Sequence, residues 1–252
     1  MLFRGFHTVD HFDCPPFQMF TNADDPVSVA ILDYRSFEPH SMRLWCALAK
    51  TSSSILDIGS HVGVYSLAAA SIRKDIQIHA FEPNPFTAAR LRVNKHLNEF
   101  SHIVEHNVAL AEGKGIAEIS WITKPNGWLS SGSGLGGEHD TGWEKAPVYV
   151  RTLDSLGVDP GTKPLVKIDV EGTEHNVFKG MSAFLASRPA IILESFGQGN
   201  CDFIASLLPN YRFFLIDERG ALQEQKRLLA ARLDEQNKNK LLLPEEHGLP
   251  TT

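Results

Sequence analysis

Short apolar runs and stretches of helical spacing alternate along most of this chain. Ser54–Ile58 reads as a strand, and after it Val62, Tyr65, Ala69 and Ile72 recur on one face of a helix. Ile76–Phe81 is the next run. Asn84 and Pro85 then offer an N-cap and a first helical residue, and Phe86, Ala89, Val93 and Leu97 carry the stripe onward. His102–Glu105, Pro164–Ile168, Ala190–Glu194 and Tyr211–Ile216 read as further strands, and Leu241–Pro244 as the last. Thr173 opens a helix with the stripe Val177, Phe178, Met181, Phe184 and Leu185. Strands alternating with helices predict βαβ units in one mostly parallel sheet, covered by helices on both faces.

The flanks follow other rhythms. Residues 1–50 are expected to form an N-terminal cap on a domain of residues 51–252. In the cap, Phe17–Phe20 and Val27–Leu32 read as short strands around the turn-rich Asn22–Pro26. Ser41–Lys50 reads as a helix with Met42, Trp45, Cys46 and Ala49 on one face. Ile116–Ile122 and Val148–Val150 alternate as strands. Between them Asn126–Gly142 is rich in glycine and serine and carries Trp128, His139 and Asp140. A connection this long is either a functional flap on the substrate side or disordered. Asp217–Lys240 is polar, with a short helix expected around Leu228.

Composition narrows the class without changing this picture. The 252 residues are 42% hydrophobic and 21% charged, ordinary for a globular chain. A net charge of −6 argues against nucleic acid and anionic membranes as partners. Cys14, Cys46 and Cys201 are too far apart for a disulfide framework or a metal motif, which suits a reducing, cytoplasmic setting. Met1–Phe6 runs into His7 and Asp10, unlike a signal peptide, and no apolar run reaches the length of a membrane span.

The candidate chemistry sits at strand ends. After Ser54–Ile58, Gly59 and Gly63 let a ligand lie against the backbone and the following helix N-terminus. Glu82 closes the second strand, where an acid binds the two hydroxyls of a ribose. A pyrophosphate loop would read Gly-x-Gly-x-x-Gly; here Asp57 precedes Gly59, and His61 stands where the middle glycine belongs. An acid ahead of the loop suits a ligand with an amino group and no phosphate, such as S-adenosylmethionine. A nicotinamide-type nucleotide binder and a non-catalytic binding module remain alternatives. Lys167 and Asp169 interrupt a central apolar strand two residues apart, so they share a face. They are either an internal ion pair or part of a polar site at the carboxyl end of the sheet.

Four strings in this order, Leu56-Asp57-Ile58-Gly59, Phe81-Glu82-Pro83-Asn84-Pro85, Val150-Arg151-Thr152-Leu153-Asp154 and Lys167-Ile168-Asp169-Val170-Glu171-Gly172-Thr173-Glu174, with Ile192-Leu193-Glu194 after them, resemble the FkbM-type S-adenosylmethionine-dependent methyltransferases. The resemblance runs from about residue 30 to residue 243. It implies a class I methyltransferase fold, α/β and Rossmann-like, with a seven-stranded, mostly parallel sheet whose last strand is antiparallel. It also implies O-methylation of a hydroxylated small molecule, polyketide or glycan. Carried over, Asp57, Gly59, Ser60, His61 and Gly63 line the methionine end of the cofactor, with Ser60-His61 replacing the usual small residue and Asn. Glu82, with Pro83 and Asn84 beside it, takes the ribose, Val108 and Ala109 lie near the adenine, and Asp169 sits beside the sulfonium.

An acceptor hydroxyl needs a base, and Lys167, Asp169 and Glu171 are the expected chemical centre, with His175 in reserve. No metal is required, though Asp169, Glu171 and Glu194 could hold one.

Overall fold

The computed structural model describes residues 4–122, 134–135, 143–231 and 238–250. In chain order the elements are β1 (Gly5–Val9), β2 (Phe17–Thr21), α1 (Pro26–Asp33), α2 (Pro39–Ala49), β3 (Ser54–Ile58), α3 (Val64–Ile72), β4 (Ile78–Phe81), α4 (Pro85–Leu97), β5 (Ile103–His106), β6 (Ala109–Leu110), β7 (Gly115–Ile122), β8 (Gly134–Leu135) and β9 (Trp143–Arg151). They continue as β10 (Pro164–Ile168), α5 (Glu174–Lys179), α6 (Ser182–Leu185), β11 (Ala190–Glu194), α7 (Gln198–Ser206), β12 (Tyr211–Asp217), β13 (Ala221–Gln225) and β14 (Asn239–Pro244).

The main sheet runs β5-β4-β3-β10-β11-β14-β12-β13. Strands β5, β4, β3, β10 and β11 are parallel, whereas β14 is antiparallel to both β11 and β12. This is the class I methyltransferase fold, with β13 added at the far edge as an eighth strand. Strands β3, β10 and β11 are buried at every position, which only a sheet covered on both faces allows.

Alternation along these strands divides two cores. Ile55, Leu165 and Ile192 face Trp45, Met42 and Leu67 of α2 and α3. Leu56, Val166, Ile168 and Leu193 face Phe178, Met181 and Ile204 of the α5–α7 layer. Asp57 and Lys167 pair in register on adjacent strands and alternate onto the first face, toward the N-terminal helices. Glu194, two residues beyond Ile192, follows them there.

A separate hairpin, β1–β2, is fastened to α4 by amide side chains. Asn98 Oδ1 accepts from Gln18 N at 2.7 Å and Asn94 Oδ1 from Phe20 N at 2.8 Å. The second sheet has the order β6-β9-β7-β8.

Several expectations need correction. Val27–Leu32 is helix, not strand: the Asp25 carboxylate accepts from Ser28 N at 2.7 Å and Pro26 fills the first helical position. That start signal outweighs the apolar run. Val62 lies ahead of α3, in the loop. The helix expected from Thr173 breaks at Gly180–Met181 into α5 and α6; a Cβ on Gly180 would lie 2.0 Å from the Ala111 carbonyl oxygen. No helix forms at Leu228, and Ala221–Gln225, taken as polar connection, pairs with β12. The expected flap Asn126–Gly142 lies outside the described residues except for Gly134–Leu135, whose backbone pairs with β7. No helix among the described residues is long and apolar enough to cross a membrane.

Candidate active site

Strand order reverses between β3 and β10, so their carboxyl ends open a crevice where ligands of such sheets bind. A cleft of about 970 Å³, counting its open mouth, lies there. One wall is the loop after β3. Gly59 has φ +83°, and a Cβ on it would stand 1.7 Å from the Asp169 carbonyl oxygen, so only glycine lets this loop meet the chain leaving β10. Gly63, at φ +93°, is pressed against Leu91 of α4.

The two acids of this wall are already engaged by the backbone. Asp57 Oδ2 accepts from Ser66 N at 3.0 Å and Ser66 Oγ at 2.6 Å, capping the first turn of α3 from the strand beside it. Burial pushes its pKa up to about 6 against those hydrogen bonds. Glu82 accepts from His61 N at 2.8 Å on one oxygen and Asn84 N at 2.9 Å on the other, so it clamps the glycine loop to the end of β4. Burial raises its pKa also.

The adjoining end of β10 is charged. Lys167, 1% exposed, places Nζ 3.3 Å from Asp169 Oδ2 and 5.2 Å from the centre of the Tyr65 ring. Burial alone works against the ammonium, but Asp169, Glu38, Glu194 and Asp57 outweigh it and hold Lys167 above the usual lysine range. Glu171 occupies a left-handed turn at φ 55°; its outer edge is exposed, yet desolvation and the Asp169 charge push it to about 7. Desolvation and Asp169 take Glu194 to about 8.

The cleft therefore gathers Asp57, Gly59, Ser60, His61, Glu82, Pro83, Val108, Ala109, Lys167, Asp169 and Glu171. Gly63 closes the loop behind it. Asn84 is not in the lining: it is 1% exposed and its side chain accepts from Phe86 N as the N-cap of α4. His175 is not in the lining either. Among the described residues no three His, Cys, Asp or Glu side chains are grouped to hold a metal ion, Asp169, Glu171 and Glu194 included. Reading the sequence missed Val27, Phe37, Tyr65, Ile119 and Thr173, all part of the lining. Tyr65 stood in the α3 stripe, but nothing in the spacing distinguishes a cleft tyrosine from a core one.

The profile of the methyltransferase FkbM domain matches residues 57–220. The chain belongs to this family. Among curated proteins it is similar to the hexuronic acid methyltransferase AglP of Haloferax volcanii, 29% identical over 162 residues, covering 62% of each chain. The chain thus spans about three fifths of that relative's length. Similar solved structures include an FkbM methyltransferase from Methylobacillus flagellatus, with a TM-score of 0.47 and 16% identity over 77% of this chain and 43% of that one. Another is TYW2 of M. jannaschii in complex with AdoMet, with a TM-score of 0.48 and 12% identity over 95% and 85%.

S-adenosylmethionine is the cofactor of this FkbM domain, and the cleft has the chemistry for it. Ser60 Oγ and both ring nitrogens of His61 are buried with no hydrogen-bond partner among the described residues, beside the glycine loop. Val108, Ala109, Leu110 and Ile119 give the lining apolar surface of a kind that suits a purine, and its carboxylates suit a sulfonium and an ammonium.

Proposed function

We propose that this protein transfers a methyl group from S-adenosylmethionine to a hydroxyl of a sugar or related small molecule. The observation that carries the reading is the Lys167–Asp169 pair at the carboxyl end of β10, lining one cleft together with the adjoining glycine loop. The name of the H. volcanii relative, a hexuronic acid methyltransferase, supports a sugar acceptor.

In this reading Asp57, Gly59, Ser60, His61 and Gly63 hold the methionine end. Glu82 keeps free lone pairs for the ribose hydroxyls beyond those used by His61 N and Asn84 N. Val108 and Ala109 flank the adenine. When bound, the cofactor supplies an already activated methyl group. The protein then has to align the acceptor, a contribution of about 7–11 kcal/mol in favourable cases, and to receive its proton. Asp169, paired with Lys167, faces the positive end of the ligand. Glu171, at the cleft lip with a pKa near 7, takes the acceptor proton near neutral pH.

Calorimetry with S-adenosylmethionine and S-adenosylhomocysteine tests the cofactor half. Labelled methyl transfer to hexuronic acids and neutral glycans tests the acceptor half. Absence of heat with either ligand at millimolar concentration overturns the reading.

A further inference from the structure

The first residue before α2 breaks the usual rule for helix starts. An N-cap residue normally sits in the β region and turns its side chain back onto the free N–H groups of the first turn. Glu38 instead has φ 42° and ψ 56°, and its side chain caps nothing. The N–H groups of His40 and Ser41 are taken by Glu218, from 177 or more residues away, at 2.9 and 3.2 Å, and Ser41 Oγ donates to the same carboxylate. One acid has been brought across the fold to cap α2 while the local acid is turned elsewhere. A left-handed glutamate is a strained conformation, and such strain persists where the surroundings hold it in place.

Glu38 is turned toward the charged wall of the cleft. Its carboxylate accepts a hydrogen bond from the Tyr65 hydroxyl. The Tyr65 ring lies over Lys167 Nζ, is wedged edge-on between Phe37 and Trp45, and has its backbone carbonyl held by Trp45 Nε1 at 2.9 Å. Lys167, Asp169, Glu194 and Glu218 all act on or with the Glu38 charge, and Tyr65 is its hydrogen-bond donor. These groups come from α3, β10, the end of β11 and the turn after β12, so Glu38 stands where four elements converge. Glu38 itself is not in the cleft lining, whereas Tyr65, Lys167 and Asp169 are.

We propose that Glu38, which lies ahead of the family-matched residues 57–220, is a positioning residue of the cofactor site. Through Tyr65 it fixes the ring over Lys167, and it shares that ammonium with Asp169, leaving the Asp169 carboxylate open to a cationic ligand. The N-terminal segment is then part of the binding site and not only its cover. The inference rests on the site roles proposed above for S-adenosylmethionine and deepens them.

The test compares a cationic and an uncharged sulfur in the same cleft. S-adenosylmethionine and S-adenosylhomocysteine are titrated calorimetrically into the wild-type full chain, Glu38→Gln and Tyr65→Phe at pH 8. Glu38→Gln keeps the size and a hydrogen-bond acceptor but removes the charge. Lys167 then falls wholly to Asp169. S-adenosylmethionine affinity is expected to drop about fivefold or more, while S-adenosylhomocysteine affinity stays within about twofold. Tyr65→Phe, which frees Glu38 from its donor, is expected to move the ratio of the two affinities in the same direction and serves if the first variant does not fold. Equal weakening of both ligands, or no change in their ratio, overturns the positioning role. Failure of the wild type to bind either ligand overturns the cofactor reading instead.

Discussion

Replacing Lys167 by methionine tests the charged wall most directly. The substitution keeps an unbranched apolar stem at a position 1% exposed and deletes only the ammonium. Removing one member of a buried ion pair costs about 3–5 kcal/mol, chiefly because the other charge is stranded. Asp169 has 30% of its side chain exposed, so water rehydrates part of it, and a loss of about 2–3 kcal/mol at pH 8 is expected. The pH dependence is sharper than the magnitude. Burial already lifts Glu194 to about 8 and Asp57 to about 6, and both rise further without the ammonium beside them. A carboxyl whose pKa is raised in the folded state contributes stability below its unfolded pKa and loses it as pH climbs through the folded value. The deficit of Lys167→Met is therefore expected to be largest at pH 8 and smaller at pH 5, where Glu194 and Asp57 are protonated and no longer need the ammonium. Urea unfolding at both pH values measures it, and Lys167→Met/Asp169→Asn, compared with the two single variants, closes a double-mutant cycle. Wild-type stability at pH 8, or a deficit that grows toward pH 5, would refute the assignment of Lys167 as the cation that balances this cluster.

Three further outcomes are expected. Gly59→Ala drives a Cβ to 1.7 Å from the Asp169 carbonyl oxygen at a positive φ, so it should lower stability by roughly 3 kcal/mol and abolish cofactor binding; a melting curve and a titration at wild-type values would mean that the two loops part freely. Glu82→Ala frees the N–H groups of His61 and Asn84, so cofactor affinity should fall at least about tenfold, and an unchanged dissociation constant would put the ribose elsewhere. Asp169→Asn should cut turnover by about a hundredfold at saturating cofactor, whereas full activity would leave the Lys167–Asp169 pair a structural feature alone.

Local signals carried the sheet a long way. Ser54–Ile58, Pro164–Ile168 and Ala190–Glu194 declare themselves as central strands because burial on both faces admits only near-continuous apolar runs. Asp57, Gly59, Glu82, Lys167 in β10 and Asp169 just beyond it were visible as departures from those runs, and charges in or beside a covered strand are costly enough to mean something. Period two put Lys167 and Asp169 on one face, and the fold paired them at 3.3 Å. Where a start signal and an apolar pattern competed, as at Asp25-Pro26 before Val27–Leu32, the pattern misled and the cap decided. The edge strand Ala221–Gln225 had no apolar period to read, since an edge in water asks little of its side chains.

The tertiary structure alone decided which distant side chains serve which ends. Nothing near Glu38 in the sequence says that Glu218 will cap its helix, or that the Tyr65 hydroxyl will donate to the carboxylate so released. Those partners are brought together by strand order and helix packing, across sequence separations that no local pattern spans. The chain by itself determined the central strands, the glycine loop and the acids at the strand ends, because backbone geometry and burial act residue by residue. The network around Lys167 was decided only by the fold, because charge pairing depends on distance in space.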